Sequence, residues 1–321
     1  MAYLTVNVPQ DYRLNERLDK YISTLPDGMN RSKLKSGVTA IFINGKNGKL
    51  SQKIKAGDKI EIDWEDNIPD DIEPQDIPLD IIYEDENVTV VNKKQGMVTH
   101  PACGNWEGTL VNALLYHWGR EKINQLKEGS EAEIVKHRRP GIVHRLDKET
   151  SGIIITAKNR ESEEWLASQF KDRKLRKEYI LIVKGRPPQA CGDIRTQIIR
   201  DPKDRKKFKA VTDTTEGKFA RTIYHCISSY GNYTLVRVRI KTGRTHQIRV
   251  HMKYIGCPIV GDSIYNKIDP IFPDATLMLH SKLLEICLPG QTKPVTFITK
   301  TPERFLEIEK KLKKMFNKKI P

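Results

Sequence analysis

The sequence is short of cysteine and of long apolar runs, and each shortage excludes something. Its five cysteines, Cys103, Cys191, Cys226, Cys257 and Cys287, are odd in number and scattered, and no two form a CxxC pair. That spacing argues against a disulfide framework and against a zinc ribbon, and leaves reduced thiols. No metal site is expected. No apolar run approaches the roughly 18 residues of a membrane-spanning helix. The opening MAYLTVNVPQDYRLNER lacks the basic, apolar and small-residue succession of a signal peptide, so the expected compartment is the cytoplasm. No segment repeats another. Acidic residues are the minority charge, 41 against 56 Lys and Arg, for a net charge of +15. A balance this basic points to an acidic partner, nucleic acid first.

The charge is unevenly spread. Residues 65–86 carry ten acidic residues and no Lys or Arg, whereas residues 171–209 carry fourteen Lys and Arg against five acidic residues. Neutralising a phosphate releases a counterion, so a basic cluster of that density favours phosphate contact. With 321 residues, 38% of them hydrophobic, the chain is long enough for two domains and a sizeable core.

Residues 1–64 are expected to form a small module. Leu14, Arg17, Leu18, Tyr21 and Ile22 recur at helical spacing. Asn30 is placed to cap a second helix running to Gly37. The stretch VTAIFINGK alternates as a strand does and ends in Asn44-Gly45, a hairpin-type turn, and DKIEIDW reads as a further strand. The segments RLDKYI, NRSKLKSGVTAIFINGK and KIKAGDKIEI resemble the S4 RNA-binding domain. That likeness makes Arg31, Lys33 and Lys35 candidate RNA contacts, though the turn at TAIFINGKNG is longer than the pattern. Residues 65–79, acidic and broken by Pro69, Pro74 and Pro78, read as a linker. Residues 80–305 read as a larger domain. In it TLVNALLYHW is an amphipathic helix, EKINQLKEGSEAEIVKH is a polar loop or insertion, and GIIITAKN, YILIVKG, RTIYHCISSYGNYTLVRVRI and KPVTFITK are strands. Several of these meet at short turns, so the fold class is α+β with a mixed, mainly antiparallel sheet. Residues 306–321 read as a basic C-terminal helix that caps.

The segment GIVHRLDKETSGIIITAKN, residues 141–159, carries the most specific pattern. HRLDKETSG resembles the signature of the RluA family of pseudouridine synthases. The likeness extends through THPACGNWEGTLVNAL, RKEYILIVKG, IRDPKDRKKFKAV, KTGRTHQIRVHM, PIVGDSIY and LMLHSKLLEI, nearly all of residues 80–300. It implies isomerisation of uridine to pseudouridine in structured RNA, with no cofactor, and Asp147 as the nucleophile. The reaction breaks the N1–C1′ bond of uridine, turns the base and forms a C5–C1′ bond, so a carboxylate suffices as partner for the detached fragment. Attack on C6 of the base, attack on C1′ of the sugar and elimination to a glycal would all use that same carboxylate.

The resemblance assigns further roles. Arg145, two residues before Asp147 and on the same face of an extended chain, would fill the gap left by the flipped uridine, where a planar cation offsets part of the lost stacking. His144 is structural or touches RNA. Tyr179 matches the family's active-site tyrosine, with a face for stacking and a hydroxyl for proton transfer or sugar contact. Arg244 matches the basic residue that pairs with the aspartate and favours its charged form. Arg249 either contacts RNA or balances that charge, and Thr245 is placed to cap a helix beginning at His246. The basic hairpin at 200–210, with Arg205, Lys206, Lys207 and Phe208, would grip RNA, Phe208 stacking on a base. The stretch HPACGNWEGTLVNALL is closest to the branch acting on the helix 69 loop of large-subunit ribosomal RNA.

The competing readings are a noncatalytic RNA-binding or ribosome-assembly factor, which would lack Asp147, Tyr179 or Arg244, and a glycoside hydrolase, which would need a second carboxylate. The expected protein works as a monomer on ribosomal RNA or its assembly particle.

Overall fold

The computed structural model describes residues 2–25, 34, 37–64, 71–102, 104–121, 123–124, 140–204, 206–212 and 214–316. The chain divides into two compact units, Met1–Asp70 with Ala102–Trp106, and Asp71–Pro101 with Glu107–Pro321.

The smaller unit is an antiparallel sheet with a short helix. Its strands are β1 (Ala2–Asn7), β2 (Val38–Ile43), β3 (Lys46–Asn47) and β4 (Lys59–Trp64), in the order β1-β4-β2-β3. The helix α1 (Leu18–Ile22) buries Leu18, Tyr21 and Ile22, the i, i+3, i+4 set that the sequence offers. Leu14, expected on the same helix, precedes it and is exposed. In β4, Ile60 and Ile62 alternate into the same core. Asn44 and Gly45 take consecutive positive φ values of 53° and 74°, which lets β2 turn tightly into β3. Strand β1 lies upstream of the helix-helix-hairpin order and went unread. Arg31, Lys33 and Lys35 lie outside the described residues. Of the second expected helix only Leu34, buried in this core, and Gly37 are described.

The larger unit holds a ten-stranded sheet. Its strands are β6 (Ile81–Glu84), β7 (Val88–Lys93), β9 (Ser151–Ala157), β10 (Arg176–Lys184), β11 (Cys191–Arg200), β12 (Phe208–Val211), β13 (Lys218–Tyr230), β14 (Tyr233–Ile240), β15 (Leu279–Cys287) and β16 (Pro294–Ile298). The order is β12-β11-β13-β14-β10-β15-β9-β7-β6, with β16 also paired to β15. Every pairing is antiparallel except β9 with β15, so the mixed, mainly antiparallel α+β architecture is as expected.

A separate pair, β5 (Asp71–Ile72) with β8 (Ile123–Asn124), corrects the linker boundary. The Gln75 N–H donates to the Asn112 carbonyl, and Asn112 Nδ2 donates to the Glu73 carbonyl at 2.8 Å. Residues 71–79 are thus tied into the larger unit, because short edge pairing and side-chain bonds satisfy a backbone that Pro74 and Pro78 keep out of a longer ladder.

Five helices are described in all. In the larger unit, α2 (Leu110–His117) is capped reciprocally by Thr109 and Asn112, α3 (Arg160–Asp172) begins at Asn159, α4 is Gln247–Tyr254 and α5 is Glu303–Phe316. Helix α5 starts at Glu303 and buries Phe305, Ile308 and Leu312 in the main core. Strand β9 is buried on both faces. Ile153 and Ile155 join the cluster with Leu166 of α3, while Ile154 joins the main core with Leu110 and Leu114 of α2. Gly152, with φ 112°, sits where β9 meets β15, and a Cβ there would strike the Ser281 carbonyl. The glycine that ends the signature is therefore a packing requirement of the one parallel pairing.

Candidate active site

Asp147 stands in the loop that enters β9, and the loop's backbone is tied down one carbonyl at a time. The Leu146 carbonyl accepts from Thr99 Oγ1 at 3.0 Å. The Asp147 carbonyl accepts from the Thr150 N–H, closing a turn. The Lys148 carbonyl accepts from the Gly96 N–H and from Nζ of the buried Lys93, and the Glu149 carbonyl accepts from Gln95 Nε2 at 2.8 Å. Four consecutive acceptors are thus satisfied, three of them by another segment. The Asp147 carboxylate is not needed to cap its own turn, and among the described residues its partners are the Arg249 guanidinium and the His246 ring rather than backbone N–H groups.

The sheet brings Tyr179 to the same place. In register, Tyr179 of β10 faces Ser281 of β15, which faces Gly152 of β9, five residues past the end of the signature's HRLD. Asp147 and Tyr179 both line a cavity of about 520 Å³. Burial, with the Asp147 charge adding to it against a bond to Ser281, pushes the Tyr179 phenol well above its ordinary range. It is therefore a protonated donor at neutral pH and not a base.

The cation beside Asp147 is Arg249. Its Nη1 lies 3.4 Å from Asp147 Oδ2, while its Nε and Nη2 each donate to the Asp262 carboxylate at 2.8 Å. Asp262 also accepts the N–H groups of Ile264 and Tyr265. Burial opposes its charge, but Arg249 and those N–H groups hold its carboxyl below the usual range. This corrects the pairing expected of Arg244. That side chain lines the cavity, but its Nε donates to the Phe219 carbonyl at 2.9 Å. The reason lies at the helix entry. His246 adopts φ 55°, so α4 begins at Gln247 without a Thr245 cap, and Gln247 Oε1 accepts instead from Thr242 Oγ1 and the Arg244 N–H. Arg249, two residues into the helix, is turned inward and buried. His246 completes the arrangement, with Nε2 3.8 Å from Asp147 Oδ2 and Nδ1 bonded to the Tyr265 hydroxyl at 2.8 Å.

His144 takes the structural of its two expected roles. Its Nε2 accepts the Ile155 N–H at 3.0 Å and its ring stacks on Phe170 at 4.5 Å. Burial, with the charge of Lys177 added, pushes the imidazole down to about 3. Arg145 is exposed at the cavity wall. Phe208 is half-buried rather than presented to solvent. Its ring packs edge-on against His246 and lies under Arg200, because the hairpin it sits on folds back onto α4 and Tyr265. Lys207 pairs with Asp204 at 3.1 Å, Lys206 is exposed, and Arg205 lies outside the described residues.

Sequence reasoning passed over Asp262 and Lys177. The former stands in PIVGDSIY, a segment already singled out. Lys177 stands two residues before Tyr179, lines the cavity and packs its ammonium on the Phe170 ring at 5.1 Å, and burial pushes it down to about 8. Among the described residues, Asp147 is the one acidic residue lining the cavity, against Arg145, Lys171, Arg173, Lys177, Lys241, Arg244 and Arg249. A glycoside hydrolase of the usual kind needs two carboxylates flanking the bond it cleaves, and this wall offers one.

Residues 87–254 match the RNA pseudouridylate synthase family model. The chain is 44% identical over 310 residues to ribosomal large subunit pseudouridine synthase D of Borreliella burgdorferi, covering 94% of this chain and 92% of that one. It is 40% identical to the Zymomonas mobilis protein of the same name, covering 78% and 77%. Among solved structures, human RNA pseudouridylate synthase domain containing 1 superposes with a TM-score of 0.55 at 24% identity, over 70% of this chain and 84% of that one, and shows a shared fold. The chain belongs to the RNA pseudouridylate synthase family, and the class of enzyme is an RNA pseudouridine synthase. No helix among the described residues is long and apolar enough to cross a membrane.

Proposed function

We propose that Asp147 is the nucleophile acting on a uridine turned out of a loop of large-subunit ribosomal RNA, with Tyr179 and Arg249 completing the catalytic group. One observation carries this. Asp147 is the single carboxylate that the described residues bring to a cation-rich cavity, and it is held by a guanidinium that another carboxylate keeps in place. Two relatives bear the name ribosomal large subunit pseudouridine synthase, which supports that RNA as the substrate.

The chemistry is self-contained. The N1–C1′ bond breaks, C5 joins C1′, the proton leaves C5 and N1 gains one, so the nucleoside changes connectivity without change of composition. The carboxylate partners the detached fragment. Arg249 fixes its direction, since a guanidinium already committed to Asp262 reorients little. The neutral Tyr179 hydroxyl stacks and donates. Arg145, exposed at the rim, fills the space the base leaves and offsets the few kcal/mol of lost stacking, as a base-flipping enzyme requires. Arg244 serves through the backbone of β13 and the cavity wall. Residues 1–64 act as an S4-like RNA-binding domain that raises affinity and site choice, and the protein works as a monomer in the cytoplasm on ribosomal RNA or its assembly particle.

The test is carbodiimide mapping of pseudouridine in total RNA from cells with the gene, without it, and with only Asp147→Asn. Loss of the same ribosomal positions in the last two is the expected result. A ribosomal position that loses its pseudouridine without the gene but keeps it in the Asn strain would overturn the assignment.

A further inference from the structure

We propose that the hollow beside the Asp147 cavity holds the base and phosphate of a nucleotide adjacent to the target uridine, stacked on Phe219. The inference rests on the reading that the target enters the Asp147 cavity. The second hollow, about 290 Å³, is lined by Arg173, Arg195, Phe219, Arg221, Lys241 and Thr242, and three of these, Arg173, Lys241 and Thr242, also line the first. The two hollows share a wall, so a strand whose uridine has turned into one brings its neighbour to the other.

The lining fits a nucleotide in both its parts. Phe219 is 43% exposed on β13, a bare ring surrounded by cations. Its backbone is pinned from the cavity side, because its carbonyl accepts from Arg244 Nε. An aromatic face accepts any base, and nearby guanidinium and ammonium groups take the phosphate. Arg195 and Arg221 share one acid. Both donate to Asp193, Arg195 Nη2 at 2.6 Å and Arg221 Nη2 at 2.9 Å, which fixes the two forks and neutralises one of them. Arg173 and Lys241 have no ion pair among the described residues, and Arg173 follows the last turn of α3 in a left-handed conformation, φ 59°. The hollow therefore carries a surplus of positive charge around a single ring.

The experiment uses the full-length protein and stem-loop RNAs bearing the target uridine, intact or with an abasic residue at either neighbouring position. For the wild type, one of the two abasic RNAs should lower kcat/KM at least about fivefold, the scale of one base–aromatic stack. Phe219→Ala should lose a similar factor on intact RNA and nothing more on that abasic RNA, while Phe219→Trp keeps the wild-type pattern. Equal abasic penalties in wild type and Phe219→Ala, or no penalty at either position, would overturn the stacking site and would mark the hollow as a phosphate contact alone. Arg173→Gln should flatten the plot of log KM against log salt by about 0.7, one phosphate on a single strand, and an unchanged slope removes the phosphate half. A wild type that leaves every RNA unmodified would instead sink the reading of the Asp147 cavity on which the inference stands.

Discussion

The turn at Asp262 and the loop at Asp147 approach the same guanidinium from two sides. Asp262 is fully buried and takes two Arg249 bonds at 2.8 Å together with two backbone N–H groups. Asp147 is 21% exposed at its side chain, takes a single longer bond at 3.4 Å and faces the cavity. A carboxylate has about four lone-pair sites. At Asp262 they are committed to structure, and at Asp147 most remain free. The difference separates a carboxylate that positions from one able to react, although both are aspartates paired with one arginine. It also explains why the reactive one can stay fixed while lightly bonded. Its loop is held by another segment through three backbone carbonyls, and its partner is held by the other aspartate.

Substitutions should split the two. The largest effect belongs to Asp147→Asn, which should lower kcat at least about a thousandfold, as loss of a nucleophile does, with RNA affinity in a filter-binding assay retained. Asp262→Ala should do the reverse in kind. It strands a buried guanidinium, a defect of about 3–5 kcal/mol, read as a fall in the urea midpoint. If Asp262→Ala left the midpoint unchanged, the anchoring role would be wrong. Tyr179→Phe should come next, with turnover falling about a hundredfold and KM moving little. Equal losses in both would confine the hydroxyl to binding.

The reactive loop was the legible half of this comparison. Nine contiguous residues, HRLDKETSG, carry it, and local features suffice, since the turn at Asp147 and the Gly152 packing lie within five residues of each other. The strands that position it were legible too, because GIIITA and YILIVKG are β-branched runs long enough to be buried. The anchoring half was not. Whether Arg244 or Arg249 meets Asp147 depends on where α4 begins, and a positive φ at His246 shifts that start past Thr245. Asp262 lies thirteen residues beyond Arg249, and no periodicity links them. Residues 71–79 misled for a related reason. Proline and acid content describe a chain with no ladder of its own, but the bonds to Asn112 come from a helix some forty residues away.

The smallest effect concerns the scaffold under the loop, and it shows as pH dependence. His144 accepts the Ile155 N–H, and burial holds its imidazole near 3, while His280 is held near 3 and His251 near 4 for the same first reason. Above the ordinary imidazole range these rings are neutral in both folded and unfolded chains, and stability does not depend on them. As pH falls below about 6.5, the unfolded chain binds protons that the native rings refuse. The stability present at neutral pH is then lost progressively towards pH 3, at up to about 1.4 kcal/mol per pH unit for each ring. Urea melts at pH 7 and pH 5 should show that loss in the wild type. His144→Gln, whose amide can still accept the Ile155 N–H but cannot titrate, should show a smaller one. If His144→Gln lost as much stability as the wild type between those two pH values, the ring would not be the neutral acceptor that carries the reactive loop into β9.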